Sequence, residues 1–205
     1  MPIVLLVRHG ENDYVKTGRL AGRTPGVHLN DSGREQAQKT AAVLKGAPVK
    51  AIYSSPMERA METAEPLAQV LELPINVREG LLETDIGEWQ GRTVKSLQRL
   101  KLWKVVQQAP SRLRFPGGES FAEIQFRICQ EIEKICTQHE PKDLVVCVSH
   151  ADPIKLAVAY FLGMPLDSFQ RLVIAPASIT GLAIGETSSQ LIMLNYYPAL
   201  NFPKP

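Results

Sequence analysis

Pro2–Gly10 reads PIVLLVRHG, and the fold follows from it. Ile3 to Val7 form an unbroken apolar run with the length and branching of a strand buried on both faces, as in a sheet covered by helices on either side. The run stops at Arg8-His9-Gly10, so a buried strand delivers a guanidinium, an imidazole and a glycine to one sheet edge. In open α/β sheets the carboxyl ends of the strands are where ligands bind. Gly10 permits close backbone approach, and Arg8 offers a fork of donors suited to phosphate or carboxylate. The same triplet also fits a strand-capping arginine beside a half-buried packing histidine, so the rest of the chain has to decide.

The 205 residues suffice for one domain with a full core, spanning 1–205, and are too few for two large ones. With 23 basic against 21 acidic side chains, a net charge of +2 and no long block of either sign, neither nucleic acid nor a membrane surface is an expected partner. An early apolar run broken at Arg8 suits neither a secretory leader nor a membrane span, and the expected location is the cytoplasm. Cys129, Cys136 and Cys147 are odd in number and lack CxxC spacing, which favours structural thiols in a reducing compartment over a disulfide or zinc site.

Outward from the first strand, Glu11-Asn12-Asp13-Tyr14 leads into Val15–Val27, expected as a loop over the strand end; long loops in compact domains tend to be functional. Asn30-Asp31-Ser32 offers caps for a helix over Arg34–Lys45, stopped by Gly46. Lys50–Ser54 predicts a second strand, and Ser55-Pro56 a helix with Pro in its first turn. Arg59 then lies close to the strand end, with Ala60, Thr63, Ala64 and Leu67 at helical spacings, although by itself it also reads as a solvated arginine. Leu73–Val77 predicts a third strand. After it, Glu83-x-x-x-Gly87-x-Trp89-x-Gly91 sets a carboxylate among tight turns, or an ordinary surface acid.

Thr93–Ser111 is helical in composition, with Leu97, Leu100, Trp103 and Val106 as a packing stripe. Pro116-Gly117-Gly118 precedes a second long helix, Ser120–His139. Residues 88–118 are expected as a helical lid insertion over the strand ends, where Arg92, Lys95, Arg112 and Arg114 are candidates to meet further anionic groups. Asp143–Ser149 predicts a buried strand that also ends on a histidine, His150. A helix over Ala151–Gly163 follows, then strands at Arg171–Ile174, Ser178–Ile184 and Gln190–Asn195, the last two joined around Gly185-Glu186-Thr187, and an irregular tail, Tyr196–Pro205. Strand and helix alternation argues an α/β three-layer sandwich with a mostly parallel central sheet.

If the strands are neighbours, Arg8, His9, Arg59, Glu83 and His150 converge on one pocket. Phosphoryl transfer needs this set. A neutral imidazole attacks phosphorus and splits one hard displacement into two easier ones. Two guanidinium forks and a protonated second histidine hold the developing charge, and a carboxylic acid supplies the proton to the leaving alkoxide.

The segments LVRHGEN, SSPMERAMETA, LLETDIGEWQG, PGGES and VVCVSHADPIKLAVAYFLG, in this order over about Ile3 to Leu194, resemble the histidine phosphatase superfamily in its phosphoglycerate-mutase-like branch. The resemblance implies that His9 is the phosphorylated nucleophile, that Arg8, Arg59 and His150 bind the phosphoryl group, and that Glu83 is the proton donor and later the base for water. Asn12, Gly22 and Ala151 complete the implied phosphate- and substrate-binding set, with no metal and no cofactor. FQRLVIAPASIT is similar to a subgroup of phosphomutases or phosphatases without a general substrate. Many members carry an Asn six residues after the nucleophile, where this chain has Val15, with Asn12 as its substitute. Mutases carry an Arg/Tyr-rich stretch after the acid, where this chain has Thr84-Asp85-Ile86-Gly87-Glu88-Trp89.

Without a second anion clamp, the expected activity is hydrolysis of a small phosphorylated metabolite through a phosphohistidine. The alternatives are a cofactor-dependent phosphomutase of phosphoglycerate mutase type and a catalytically silent phospho-ligand binding protein. A metal-dependent phosphatase lacks the carboxylate cluster of dinuclear sites. A homo-oligomer stays open.

Overall fold

The computed structural model describes residues 1–197. A six-stranded sheet, β1 (Ile3–Arg8), β2 (Val49–Ser54), β3 (Ile75–Val77), β4 (Leu144–Ser149), β5 (Ile179–Ile184) and β6 (Ser189–Tyr196), runs in the order β3-β2-β4-β1-β5-β6. The β3–β2, β2–β4 and β4–β1 pairs are parallel, whereas β5 is antiparallel to both β1 and β6. Burial on both faces explains the continuous apolar run of β1. Leu5 and Val7 pack with Ile52, Val146 and Val148 under α2 (Asp31–Leu44) and α3 (Glu58–Leu71). Val4 and Leu6 pack with Val145 and Cys147 under α6 (Phe121–Cys136) and α7 (Ala151–Phe161). The α/β three-layer reading therefore holds, and no helix among the described residues is long and apolar enough to cross a membrane.

Register fixes what meets at the carboxyl edge. Arg8 lies opposite Ser149 and Ser54 opposite Val148, so the next residues, His9, His150 and Ser55, emerge side by side. The His9 amide donates to the Ser149 carbonyl at 3.0 Å, and the Ser55 amide to that of Val148 at 3.0 Å.

Several boundaries differ from the sequence reading. Pro56 stands before α3 rather than inside it: Met57 is the N-cap, in extended backbone, and the Ser-Pro bend only redirects the chain. Arg59 keeps its first-turn place. Segment 171–174 is not a strand, because β5 already occupies the edge beside β1; a 3-10 turn, Leu166–Arg171, precedes it, and Ile174 offers its carbonyl to Arg8. The loop after β1 starts with a short helix, α1 (Asp13–Lys16), capped by Asn12. The expected helix at Thr93–Ser111 is split into α4 (Val94–Leu97), capped by Thr93, and α5 (Lys101–Gln108). β3 is shorter than expected, Tyr196 belongs to β6, and the rest of the expected tail beyond 197 lies outside the described residues.

Gly10 is required for a reason other than ligand approach. A Cβ there would lie 2.5 Å from the Gly33 carbonyl oxygen, so the glycine lets the start of α2 press on the loop that follows β1. Residues 86–121 carry a core of their own, with Trp89, Leu97, Val106, Leu113, Phe115 and Phe121 packed against Phe169. Trp89 stacks on Trp103 at 6.2 Å and meets Phe115 edge-on at 5.4 Å.

Candidate active site

Arg8, His9, Arg59 and His150, at strand and helix ends, converge with Glu83 from the connection after β3. Ring atoms of His9 and His150 and a carboxylate oxygen of Glu83 lie within 4.8 Å of one another, and the imidazole centroids are 5.2 Å apart. Arg59, 1% exposed, donates through Nη2 to the Gly22 carbonyl at 2.8 Å and stands 4.0 Å from Glu83 Oε2. Arg8 donates through Nη1 to the Ile174 carbonyl at 2.6 Å. His9 Nδ1 lies 2.7 Å from the Gly10 carbonyl. A carbonyl only accepts, so Nδ1 carries the hydrogen and Nε2 keeps its lone pair. His150 caps α7 and shares a 2.8 Å hydrogen bond between Nε2 and Ser55 Oγ, with Ala151 opening the helix at the pocket wall.

In the pocket with His9, Arg8 Nε, Asn12 Nδ2 and Arg59 Nη1 are buried without a hydrogen-bond partner, as is His150 Nδ1 beside it, 3.6 Å from Glu83 Oε2. Native structures pair buried polar groups, so four orphans at one pocket mark a place built for a ligand rich in acceptors. The Asn12 carbonyl is spent on capping α1 through the Val15 amide at 2.9 Å, which leaves its amide free.

Burial, then Arg59 and Arg8, hold the His9 imidazole well below its ordinary range. His150 is pushed the same way by burial, Arg59, His9 and Arg8. The protonated second histidine of the sequence reading is thus disfavoured in this pocket, and the positive charge rests on the two guanidinium groups. Burial raises Glu83, with Arg59 opposing and Asp152 assisting, so the carboxyl keeps its proton to higher pH than usual.

A family model described as the histidine phosphatase superfamily (branch 1) matches residues 4–196. The chain belongs to this superfamily. It is 28% identical over 197 residues to phosphoserine phosphatase 1 of Hydrogenobacter thermophilus, covering 94% of this chain and 91% of that one. A 2,3-bisphosphoglycerate-dependent phosphoglycerate mutase of Thermoplasma acidophilum is 32% identical over 181 residues, 88% of this chain and 86% of that one. Among solved structures, a phosphoserine phosphatase of Entamoeba histolytica in complex with 3-phosphoglyceric acid superposes with a TM-score of 0.88 at 28% identity, covering 97% and 98% of the two chains.

In this histidine phosphatase the cavity beyond the imidazoles measures about 260 Å³ and is walled by Leu20, Ile86, Trp103, Val106 and Phe115, with Tyr14, Arg19, Thr84, Gln107 and Gln170 as polar contributors. Local sequence patterns do not mark this wall. Trp103 and Val106 read only as a helix stripe, and Gln170 comes from a 3-10 turn distant in the chain. Ser55 and Thr63 were also missed: Thr63 Oγ1 accepts from the Gly10 amide at 3.0 Å. The stretch SSPMERAMETA contains both. Arg92, Lys95, Arg112 and Arg114 are not brought into the pocket; all four are exposed, and Arg114 pairs with Glu123. His9, Glu83 and His150 are spaced like a metal-ligand set. A cation placed there would face the same two guanidinium groups that disfavour imidazolium, so the field suits an anion.

Proposed function

We propose that this chain hydrolyses small phosphomonoesters in two steps through a phosphohistidine. His9 Nε2 attacks phosphorus, the P–O bond to the organic group breaks, and Glu83 gives its proton to the leaving oxygen. Glu83, now a carboxylate, takes a proton from water, whose oxygen attacks phosphorus; the P–N bond breaks, its electron pair returns to His9 Nε2, and inorganic phosphate is released. Arg8, Arg59, Asn12 and His150 hold the phosphoryl oxygens, with the Gly22 carbonyl orienting Arg59 and the N-terminus of α7 at Ala151 adding its dipole. The observation that carries this reading is the His9 imidazole, with its Nε2 lone pair free and Glu83 and His150 close by, in one pocket with the buried, unpartnered donors of Arg8, Asn12 and Arg59. The reading takes residues 1–205 as one domain with 88–118 as its lid, and needs no metal or cofactor.

The test is phosphate release from p-nitrophenyl phosphate and a panel of phosphorylated metabolites, without bisphosphoglycerate and with EDTA present. Acid–base roles add a pH signature. His9 must be neutral and its pKa is lowered, so kcat/KM falls only on the acid side; Glu83 must be protonated and its pKa is raised, so kcat/KM also falls as pH rises past it. The expected profile for an alkyl phosphate is a bell in the acidic-to-neutral range, whose alkaline limb disappears in Glu83→Gln. Activity that climbs steadily into alkaline pH contradicts the assignment. Robust mutase turnover with only trace phosphate release would favour the second reading, which the likeness to the Thermoplasma acidophilum mutase supports.

The wall argues for a substrate whose organic part has an apolar face. Trp103→Ala removes half-buried aromatic surface from it. KM for aryl and hydrophobic alkyl phosphates is expected to rise about tenfold or more, from roughly 1.5–3 kcal/mol of lost contact, with KM for glycerol phosphate nearly unchanged. Equal rises for both would show that Trp103 only supports the lid. The free thiols Cys129, Cys136 and Cys147 fit the cytoplasmic location proposed here, where thiols stay reduced; burial pushes each of them up, Cys136 to about 11.

A further inference from the structure

The PGGES motif leaves one residue without a role in this chemistry, Glu119. Its carboxylate lies between two guanidinium groups. Oε2 forms an ion pair with Arg23 Nη2 at 2.9 Å and accepts from Arg127 Nη2 at 3.2 Å and the Asp85 amide at 2.9 Å, and Oε1 accepts from Arg127 Nε at 3.1 Å. Both arginines then reach the backbone that carries Glu83. Arg23 Nε donates to the Glu83 carbonyl at 2.9 Å and Arg127 Nη2 to the same oxygen at 3.3 Å. Arg127 Nη1 donates to the carbonyls of Gly80 and Leu82, each at 2.9 Å.

Glu83 sits in residues 82–86, which belong to no helix or strand, so no backbone ladder fixes it. The guanidinium forks replace that ladder, and Glu119 supplies the negative charge that lets two cations lie together. The frame around them is tight. A Cβ on Gly118 would lie 2.3 Å from the Asp85 carbonyl oxygen, and one on Gly87 2.1 Å from that of Pro116. Arg23 also follows Gly22, whose carbonyl orients Arg59, so one turn of chain serves both the phosphate clamp and the acid.

Resting on the function proposed above, we infer that Glu119, Arg23 and Arg127 form a positioning unit for the general acid: Glu119 holds the two guanidinium groups, and they set the backbone that aims the Glu83 carboxyl at the leaving oxygen. None of the three touches the reacting atoms. Positioning of an acid matters only where the leaving group needs a proton, and that separates it from simple support of the fold.

The experiment compares kcat/KM of Glu119→Gln on 2-phenylethyl phosphate, which leaves as an alkoxide, and on p-nitrophenyl phosphate, which leaves as a stable phenolate. kcat/KM reports the steps through loss of the leaving group, so later hydrolysis of the phosphohistidine does not mask the result. Glu119→Gln is expected to lose on the order of 10²-fold on the alkyl ester and less than about tenfold on the nitrophenyl ester, with Arg127→Lys between it and wild type. Equal losses on both esters, or no loss on either, overturn the inference. If Glu119→Gln does not fold, Arg23→Lys and Arg127→Lys carry the same comparison. Glu83→Gln is run alongside. If it lacks the split, the acid role itself fails; if it shows the split and the Glu119 and arginine variants do not, the positioning unit alone fails.

Discussion

His9→Ala is expected to lower phosphate release from any phosphomonoester by roughly 10⁴-fold or more, while the protein still binds phosphate or vanadate. In the proposed mechanism His9 acts as one unit with the groups around it, and no neighbour replaces it: His150 Nε2 is engaged with Ser55, and Glu83 is held by its burial toward the protonated form. Arg8, Arg59, Asn12 and His150 all remain, which is why binding survives. The variant also has a stability signature. Folded His9 has a lowered pKa, so below the ordinary imidazole value the unfolded chain takes up a proton that the folded chain refuses, and stability falls as pH falls. Removing the ring removes that contribution, and melting of His9→Ala is expected to depend less on pH between neutrality and mild acid. Calorimetry for binding, a phosphate assay for turnover and melting curves across pH check the three parts. Hydrolysis that persists near the wild-type rate ends the case for a phosphohistidine at this residue.

The second large effect is expected from Arg59→Met. Arg59 offers a preorganised, water-poor donor pair to the transferring group, and oriented donors of that kind are worth about 3–4 kcal/mol, or two to three decades of rate. In the same position it carries a buried charge whose Nη1 has no partner, with Glu83 Oε2 as far as 4.0 Å away. A methionine of similar length keeps the packing and removes the desolvated charge. The prediction therefore joins opposite signs: turnover falls about 10²- to 10³-fold, whereas the melting temperature without ligand stays level or rises. The stabilisation that vanadate gives wild type, which follows RT ln(1 + [L]/Kd), shrinks with the lost affinity. A further readout is direction of titration. Arg59 is the largest charge lowering His9 and His150, so its loss moves the acid limb of the pH profile upward. Turnover within tenfold of wild type, with a full vanadate shift, would show that the guanidinium is merely a packing element.

Part of this site is legible without coordinates, because the signals are local. An apolar run ending on Arg8-His9 and another ending on His150 announce two buried strands whose ends carry chemistry, and a parallel register needs only strand pairing to set them side by side. The helix cap at Asn30 is equally local, a side chain accepting from the amide three residues on, whereas the structure makes caps of Thr93 and Ser120, which read as helical residues. Local composition misleads where long-range packing decides. Residues 171–174 look like a strand, but the edge they would need is taken by β5. The basic residues between 88 and 118 look like anion ligands, but the aromatic core of that segment turns Trp103 and Val106, rather than Arg92 or Arg112, to the cavity.

By itself, then, the order of residues determined the α/β architecture, the five candidate groups, four of them at strand and helix ends, and the absence of a cationic stretch after Glu83. Tertiary structure alone decided their chemical state. The hydrogen on His9 Nδ1 is set by the turn of the Gly10 carbonyl, and the lowered pKa of His150 by burial beside two guanidinium groups from elements far apart in the chain. The hold on Glu83 comes from Arg23 and Arg127, 60 and 44 residues away. Strand and cap signals act over a few residues, whereas charge state and aim depend on desolvation and on fields from partners that only folding brings within a few ångströms.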